Sequence, residues 1–210
     1  MSTMPVADRR QRRHQATLDE IVEHALTVMA ESGAAGLSLG EVARRMGLRP
    51  PSLYVYLPSK AALYDEVFAR GWRLFHQRMQ QYDAPLGPTE TAHDRLTAAM
   101  SRCLEWAAAN PAYSQLMFWR PVPAWEPSPA SYEAAVAVRA LTARALTDLR
   151  DVGQLAADTD LEQATDVWML LVSGLISQRL SNEPSAPLAE GRMTTLVDPL
   201  VTSFLLLYGR

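Results

Sequence analysis

Hydrophobic residues recur at helical spacing through most of the chain, and no stretch alternates as a β-strand would. The first apolar stripe, which Gly33 ends, is formed by Leu18, Ile21, Val22, Ala25, Leu26 and Met29. Short helices are predicted at about 39–46 and 50–56, and Ser59 is the predicted cap of a longer fourth helix. The pattern therefore predicts an all-α protein.

The remaining pattern predicts five further helices, which proline-rich segments separate. They begin near Thr89 and cover about 112–118, 131–151, 161–180 and 188–208. Breaks are expected at 84–88, where we place a candidate boundary, and at 120–129 and 182–187, since proline interrupts a helix. We expect a basic arm (1–14), a DNA-binding motif (15–60) and a larger helical domain (61–210).

The segment 38–60 predicts two short helices joined by a tight turn. Ser38 and Glu41 have the spacing of a capping box at the first helix start. Gly47 stands where the chain needs a left-handed residue, and Pro50 and Pro51 suit the first turn of the next helix. This is the layout of a helix-turn-helix, whose second helix enters the DNA major groove by its N-terminal end.

The same segment resembles a known family. GLRPPSLYVYLPSKAALYDEV is similar to the signature of TetR-type transcriptional regulators, and the resemblance covers roughly residues 15–70. It implies an N-terminal three-helix helix-turn-helix domain and a C-terminal helical ligand-binding and dimerisation domain, with about nine helices in all. The partners it implies are a double-stranded DNA operator, a small-molecule effector and a second copy of the chain.

Candidate DNA contacts come from position and from the resemblance. Outward or N-terminal positions of the second helix belong to Arg49, Pro50, Pro51, Ser52 and Val55. The resemblance implies that Tyr54, Tyr56 and Lys60 contact phosphate, and the Ser38 hydroxyl is a further candidate. Arg49 has the chemistry to pair with guanine. The alternative is that Tyr54 and Tyr56 are half-buried packing aromatics.

The charge distribution agrees with a DNA-binding N-terminus although the net charge is −3. Residues 1–60 hold eight basic and six acidic groups, whereas the remaining chain holds twelve basic and seventeen acidic groups. Phosphate binding needs local positive charge rather than a basic whole. Four arginines (Arg9, Arg10, Arg12 and Arg13) form the basic arm, which is either a minor-groove contact or a solvated tail.

The C-terminal region contains many large, adaptable side chains. TetR-like regulators hold a ligand cavity there, and apolar linings are typical of small-molecule sites. The candidate ligand-binding residues are Met100, Cys103, Trp106, Tyr113, Met117, Tyr132, Trp168, Met169 and Val172. They predict an apolar or aromatic effector, which we cannot name; the alternative is that they form ordinary core.

The last two predicted helices are candidates for a homodimer interface. The segment WMLLVSGLIS places small residues beside leucine and isoleucine, and TTLVDPLVTSFLLLYG is more apolar than a surface helix should be. The resemblance implies the same interface. The alternative is a helix pair buried within one chain.

Several other functions find little support in the sequence. No apolar run is long enough to span a bilayer, the N-terminus lacks the apolar region of a signal peptide, and a single cysteine allows no internal disulfide, so we expect a cytoplasmic protein. Glu90 and His93 have the spacing of a di-iron motif, but such sites need a second motif, so we expect no metal, no cofactor and no enzyme.

We therefore expect a repressor that a small molecule releases from a palindromic operator; activation is not excluded. The rival hypothesis is a helical ligand-binding or interaction protein without DNA binding.

Overall fold

The computed structural model describes residues 6–81, 87 and 89–210, and these residues form nine α-helices and no β-strand. The helices are α1 (Val6–Ser32), α2 (Leu39–Arg45), α3 (Pro50–Leu53), α4 (Lys60–Gln80), α5 (Ala92–Ala109), α6 (Pro111–Ser114), α7 (Pro129–Asp151), α8 (Leu161–Asn182) and α9 (Val197–Tyr208). The all-α prediction, with an N-terminal helix-turn-helix and about nine helices, is confirmed.

The first three helices pack around one small core. Ile21 and Val22 of α1 meet Val42 of α2 and Leu53 of α3, and none of the four side chains is exposed. Gly47 has a φ of 68°, so the turn between α2 and α3 uses the left-handed conformation that glycine adopts at little cost. The predicted layout of the helix-turn-helix therefore holds at its turn.

The long helix α4 joins this unit to the larger bundle. The Ser59 side chain accepts a hydrogen bond from Ala62 N at 3.1 Å and so caps α4, as predicted. Beyond the cap, α4 packs against α5 and α7, α7 packs against α8, and α9 contacts α5 and α8. One helix thus belongs to both halves of the molecule.

The N-terminus differs from its prediction. α1 begins at Val6, so Arg9, Arg10, Arg12 and Arg13 lie on a helix rather than on an arm that precedes it. The residues before Leu18 are compatible with a helix but carry no apolar stripe. The hydrophobic pattern therefore did not predict that α1 extends back to Val6. Residues 1–5 of the predicted arm lie outside the described residues, as do 82–86 and 88, which include most of the predicted break at 84–88.

Other boundaries also move. Ser38 precedes α2, but its side chain makes no capping hydrogen bond. Glu41, the other residue of the predicted capping box, pairs with Arg44 and Arg45. The predicted capping box is therefore wrong. The true capping box lies at Thr91 and Asp94, where α5 starts. The ninth helix begins only at Val197, since short 3₁₀ turns occupy 188–190 and 194–196.

In the part of the chain that the structure describes, no helix has both the length and the apolar character needed to cross a membrane.

Candidate nucleic-acid interface and internal cavity

The start of α3 presents a continuous exposed surface. Ser38, Arg49, Pro50, Pro51 and Ser52 are all exposed. Arg49 is the N-cap residue of α3, and the two prolines occupy its first turn as predicted. Arg49 therefore presents a guanidinium group at the N-terminal end of α3, the end that we expect to meet DNA.

The next residues of the segment alternate between the core and this surface. Leu53 is buried, whereas 52% of Tyr54 and 78% of Val55 are exposed. An aromatic and a valine left so open do not serve the core, which favours the prediction that they meet a partner. Their contact with DNA stays a prediction.

Tyr56 and Lys60 have partners within the chain. The Tyr56 ring stacks on His14 of α1 with centroids 4.9 Å apart, so packing explains part of its position. Lys60 Nζ donates to the Ala35 carbonyl at 3.2 Å and lies 5.4 Å from the centre of the Tyr64 ring. Lys60 is nevertheless exposed, and Tyr56 is half-buried.

A charge network fixes α2 against α1. Glu41 accepts hydrogen bonds from Arg44 Nε at 2.8 Å and Arg45 Nε at 2.7 Å, and Arg45 also pairs with Glu31 of α1. The hydrogen bonds from Arg44 and then Arg45 lower the pKa of Glu41 to about 2. Two of the basic groups counted near the motif therefore serve its own assembly.

A cavity of about 470 Å³ lies in the C-terminal bundle. α4, α5, α7 and α8 form its walls, and a π-helical turn at Gln115–Trp119 contributes Met117 and Phe118. A volume of this size falls in the range of sites that hold a small molecule. The cavity is therefore the candidate effector site.

Five predicted ligand-binding residues line the cavity, namely Cys103, Met117, Trp168, Met169 and Val172. Four others do not, which corrects their predicted location. Met100 is buried in the core and Trp106 packs on Phe75 at 5.1 Å. Tyr113 lies against α4, and Tyr132 stacks on Phe68 at 5.9 Å on the outer side. Sequence spacing gave the helix of each residue but not the direction it faces.

The prediction missed most of the wall that α4 and α7 provide. Trp72, Phe75 and Met79 follow one face of α4 at helical spacing, and α7 adds Val138, Leu141, Thr142, Ala145, Leu146 and Leu149. In the sequence, that spacing indicates buried helix faces. The spacing cannot show that these faces enclose a cavity, because the cavity depends on how the helices cross.

Polar side chains join this apolar wall at a few points. Arg95 and Arg102 come from α5, Arg120 follows the π-helical turn, and Asp166 comes from α8. Asp166 is paired with Arg139 at 2.8 Å. The lining thus combines a large apolar area with a small number of charged groups.

α4 crosses the π-helical segment very closely. A Cβ at Gly71 would lie 2.7 Å from Met117 Sδ and 2.9 Å from Tyr113 Cδ1, so only glycine fits. Burial raises the pKa of Tyr113 to about 12. α6, which directly precedes the π-helical turn, also contacts α1 of the N-terminal unit.

The proline-rich loop is attached to α4 by one carboxylate. Asp65 Oδ1 accepts hydrogen bonds from Trp125 Nε1 at 3.0 Å and from Ser128 N at 3.2 Å. Trp125 also packs on Tyr64, whose hydroxyl donates to the Ala34 carbonyl at 2.7 Å. Ala34 belongs to the turn that precedes α2. The proline-rich loop is therefore connected to the helix-turn-helix through the contact of Trp125 with Tyr64 and the hydrogen bond of Tyr64 to Ala34.

An exposed apolar surface runs along α8 and α9. Leu170 is 70% exposed, Leu206 82% and Leu207 70%, and Gly174 on α8 has open space above it. On the inner side Trp168 packs on Phe204 at 5.2 Å. Each of these helices thus has one face packed within the chain and another in solvent, and the homodimer interface stays a prediction. Leu175, which the spacing also allowed on the outer face, is buried.

Nothing in the described residues groups histidine, cysteine or acidic side chains as a metal site would require. Glu90 accepts from Gly87 N at 3.1 Å, while His93 pairs with Asp198 at 3.0 Å, so the two motif residues serve different contacts. Burial raises the pKa of Cys103 to about 12, so its thiol is protonated at neutral pH.

The fold and the exposed helix define a helix-turn-helix protein with a cavity in its helical bundle. Residues 14–67 match the profile of the N-terminal domain described as "Bacterial regulatory proteins, tetR family". Residues 14–67 therefore form a DNA-binding domain of the TetR type.

One relative with a similar sequence is the HTH-type transcriptional regulator Rv1816 of Mycobacterium tuberculosis, which is 29% identical over 142 residues. The match covers 67% of this chain and 59% of that regulator, so the chain spans less than two thirds of the relative's length.

Two solved structures share the fold along nearly the whole chain. Regulatory protein SCO4313 has a TM-score of 0.72 at 21% identity, with 93% of this chain and 98% of that chain covered. The transcriptional regulator FadR from Bacillus subtilis, solved in complex with stearoyl-CoA, has a TM-score of 0.71 at 16% identity, with coverage of 88% and 96%. At these identities the likeness concerns the fold.

Proposed function

We propose that the chain is a DNA-binding transcriptional repressor that a small molecule releases from a palindromic operator, and that it is not an enzyme. The observation that carries the proposal is the double role of α4. Its first residue, Lys60, stands at the helix-turn-helix, and its Trp72, Phe75 and Met79 line the cavity. One helix thus connects the candidate DNA surface with the candidate effector site.

DNA binding follows from the exposed surface of α3. We expect Arg49 and Ser52 to meet base edges, and Tyr54, Lys60 and Ser38 to meet phosphate, because all five side chains are exposed. A four-residue helix makes few contacts, so a single copy should bind weakly. The proposal therefore includes a homodimer that places two α3 helices in successive major grooves, about 34 Å apart.

The exposed leucines of α8 and α9 are the proposed dimer surface. Leu170, Leu206 and Leu207 leave an apolar area in solvent that a second copy would cover. Across a two-fold axis through this surface, the same patch of both copies would meet, as in symmetric dimers. The division into a DNA-binding part (15–60) and a ligand-binding part (61–210) is part of this proposal.

Release follows from the packing around the cavity. An occupant among Trp72, Phe75 and Met117 would displace α4 or the π-helical turn, which touch at Gly71 without spare room. The movement would reach α2 through Tyr64 and Ala34 and change the distance between the two α3 helices. DNA and effector then weaken each other's binding by the same factor. FadR, which has a similar fold, was solved in complex with stearoyl-CoA, and this supports a small-molecule effector for the chain.

Gel shifts test DNA binding directly. The purified chain should retard DNA selected from a random pool, and Arg49→Ala with Tyr54→Ala should abolish the shift while the helical content stays the same. A matched control is Arg192→Ala, an exposed arginine far along the chain. If no selected sequence is bound and the cavity still takes small molecules, the rival hypothesis of a ligand-binding protein without DNA binding is correct.

A further inference from the structure

The first turns of α1 carry four arginines and project from the three-helix core. α1 begins at Val6, yet the first buried side chain described on it is Ile21. The stretch from Val6 to His14 alone spans about 12 Å of helix. These turns precede residues 14–67, the DNA-binding domain of the TetR type. We call residues 9–13 the arginine turns of α1.

The charge of the arginine turns is unbalanced. Between Asp8 and Asp19 the sequence holds four arginines and no acidic residue, and all four arginines are exposed. Arg9 and Arg13 are four residues apart, so like charges meet on one face of the helix, at the end where the helix dipole is also positive. This arrangement lowers the stability of the free helix, and a polyanion at its surface would remove that cost.

One ring contact places this segment beside the candidate DNA surface. The His14 ring, which directly follows the arginine turns, stacks on Tyr56 with centroids 4.9 Å apart and ring planes 26° apart. Tyr56 comes shortly after α3, and the neighbouring Tyr54 is exposed. The side of α1 that carries His14 therefore faces the end of α3.

Helical spacing decides which arginine shares that side. Each residue advances about 100° around a helix, so Arg10, four residues before His14, lies within about 40° of it. Arg12 lies about 160° away, on the opposite side, and has an interaction within the chain. Within the part of the chain that the structure describes, Arg10 has no ion pair. Arg10 is therefore the charged group that extends the candidate DNA surface.

The helical form of the segment also decides which part of DNA it can meet. An α-helix with its side chains is about 10–12 Å wide, whereas the minor groove of B-DNA is about 6 Å wide. The arginine turns therefore cannot lie in a minor groove as an extended arm does. A guanidinium on the outside of the duplex meets phosphate oxygens, which it binds with two parallel hydrogen bonds.

We propose that the arginine turns of α1 are a second DNA-binding element, in which Arg10 binds a phosphate beside the groove that α3 enters and His14 holds the helix against Tyr56. The inference rests on the proposed function, because it needs a chain that binds DNA. The element adds affinity without sequence preference, since phosphates are the same at every base pair.

Affinity measured at several salt concentrations tests the inference with a matched pair of variants. Arg10→Gln should lower operator affinity several-fold and reduce the slope of log affinity against log salt by about one unit for each chain bound. A random duplex should lose affinity by the same factor, because a phosphate contact carries no sequence information. Arg12→Gln removes the same charge from the opposite side and should leave the slope nearly unchanged.

Two results of this comparison would overturn the inference. Equal losses from Arg10→Gln and Arg12→Gln would show the non-directional attraction of a solvated tail. No loss from Arg10→Gln would show that the segment does not reach DNA. A loss confined to the preferred operator would assign Arg10 to bases and contradict the phosphate contact.

Two further changes keep all four arginines and alter only their placement. Gln11→Pro interrupts the helix within the arginine turns, and Gln11→Ala is its control. The proline variant should lose as much affinity as Arg10→Gln, whereas a solvated tail would bind equally well in both forms. His14→Ala should cause a similar loss, and His14→Phe, which keeps a ring for the stack, should restore the affinity. An unchanged melting temperature checks that the three-helix core is intact.

Failure of this inference is distinguishable from failure of the proposed function. A native chain that binds no duplex at all would remove both. A native chain that binds its operator, together with Arg10→Gln and Gln11→Pro variants that bind it equally well, would remove only the second DNA-binding element.

Discussion

At the scale of single residues, the helix-turn-helix separates side chains that hold the motif together from those left for a partner. Arg44 and Arg45 are engaged by Glu41 and Glu31, whereas Arg49 stands exposed at the start of α3. Composition alone counts all three as positive charge. In the structure Arg45 links α2 to α1 through Glu31, and Arg44 pairs with Glu41 within α2.

Lys60→Ala should weaken DNA binding uniformly across sequences, because we expect its ammonium group to contact phosphate rather than bases. The slope of log affinity against log salt should become shallower by about one unit. Fluorescence anisotropy at several salt concentrations measures both effects, with Arg192→Ala as the control. An unchanged slope removes Lys60 from the phosphate contacts.

Arg49→Ala should instead reduce discrimination at one base pair in each half-site. The expected cost on the preferred operator is about 1–3 kcal/mol, the usual value of a bidentate contact to guanine. Affinities for an operator series with each position substituted provide the measurement. A uniform loss over the whole series would assign Arg49 to phosphate.

The Glu41 network gives a pH dependence with a definite sign. A carboxylate whose pKa is lowered by folding stabilises the folded state above its unfolded pKa, and this contribution is lost as pH falls toward about 2. Glu41→Gln should therefore lower the melting temperature at neutral pH and converge with the native protein near pH 2. A constant difference between the two proteins over this range contradicts the assignment.

At the scale of elements, the sequence predicted helices better than it predicted what they enclose. The periodic stripes and the breaks at Gly47 and 120–129 follow from local rules of backbone and solvent, so they were predictable. Met100 and Trp106 were misplaced because a helix has several buried faces in a bundle. Which face meets the cavity depends on helix crossings, such as the close contact at Gly71.

The contacts of Asp65 with the proline-rich loop should affect release from the operator by the effector, and not the affinity for the operator itself. Asp65→Asn removes the charge that accepts from Trp125 Nε1 and Ser128 N, and Trp125→Phe removes the indole donor. Each variant should bind operator normally but need several-fold more effector for release. Tyr132→Phe, a change in the same region at an exposed ring, is the control. Equal loss of operator binding and of release would show only general damage.

At the scale of the whole molecule, the account requires two copies. The sequence predicted that α8 and α9 form the interface, but it could not distinguish the buried Leu175 from the exposed Leu206 and Leu207. The face that each leucine presents is decided only when α8 and α9 pack against the rest of the bundle. The dimer itself stays a prediction.

Leu206→Arg with Leu207→Arg should give a helical monomer, because the two charges would be buried without partners in the proposed interface. Sedimentation should show one chain per particle, and operator affinity should fall to the non-specific level. Leu48→Arg, at an exposed leucine outside α8 and α9, is the control for oligomeric state. A double variant that stays dimeric at micromolar concentration places the interface elsewhere.

The central claim is that the cavity and the DNA surface are linked, and reciprocal titration tests it most directly. Anilinonaphthalene sulfonate serves as a fluorescent probe of the apolar cavity. The affinity for this probe is measured with and without saturating operator, and the operator affinity with and without saturating probe. The account predicts that both affinities fall, and by the same factor, because linkage is symmetric. Probe binding that is identical in the presence and absence of operator would contradict it.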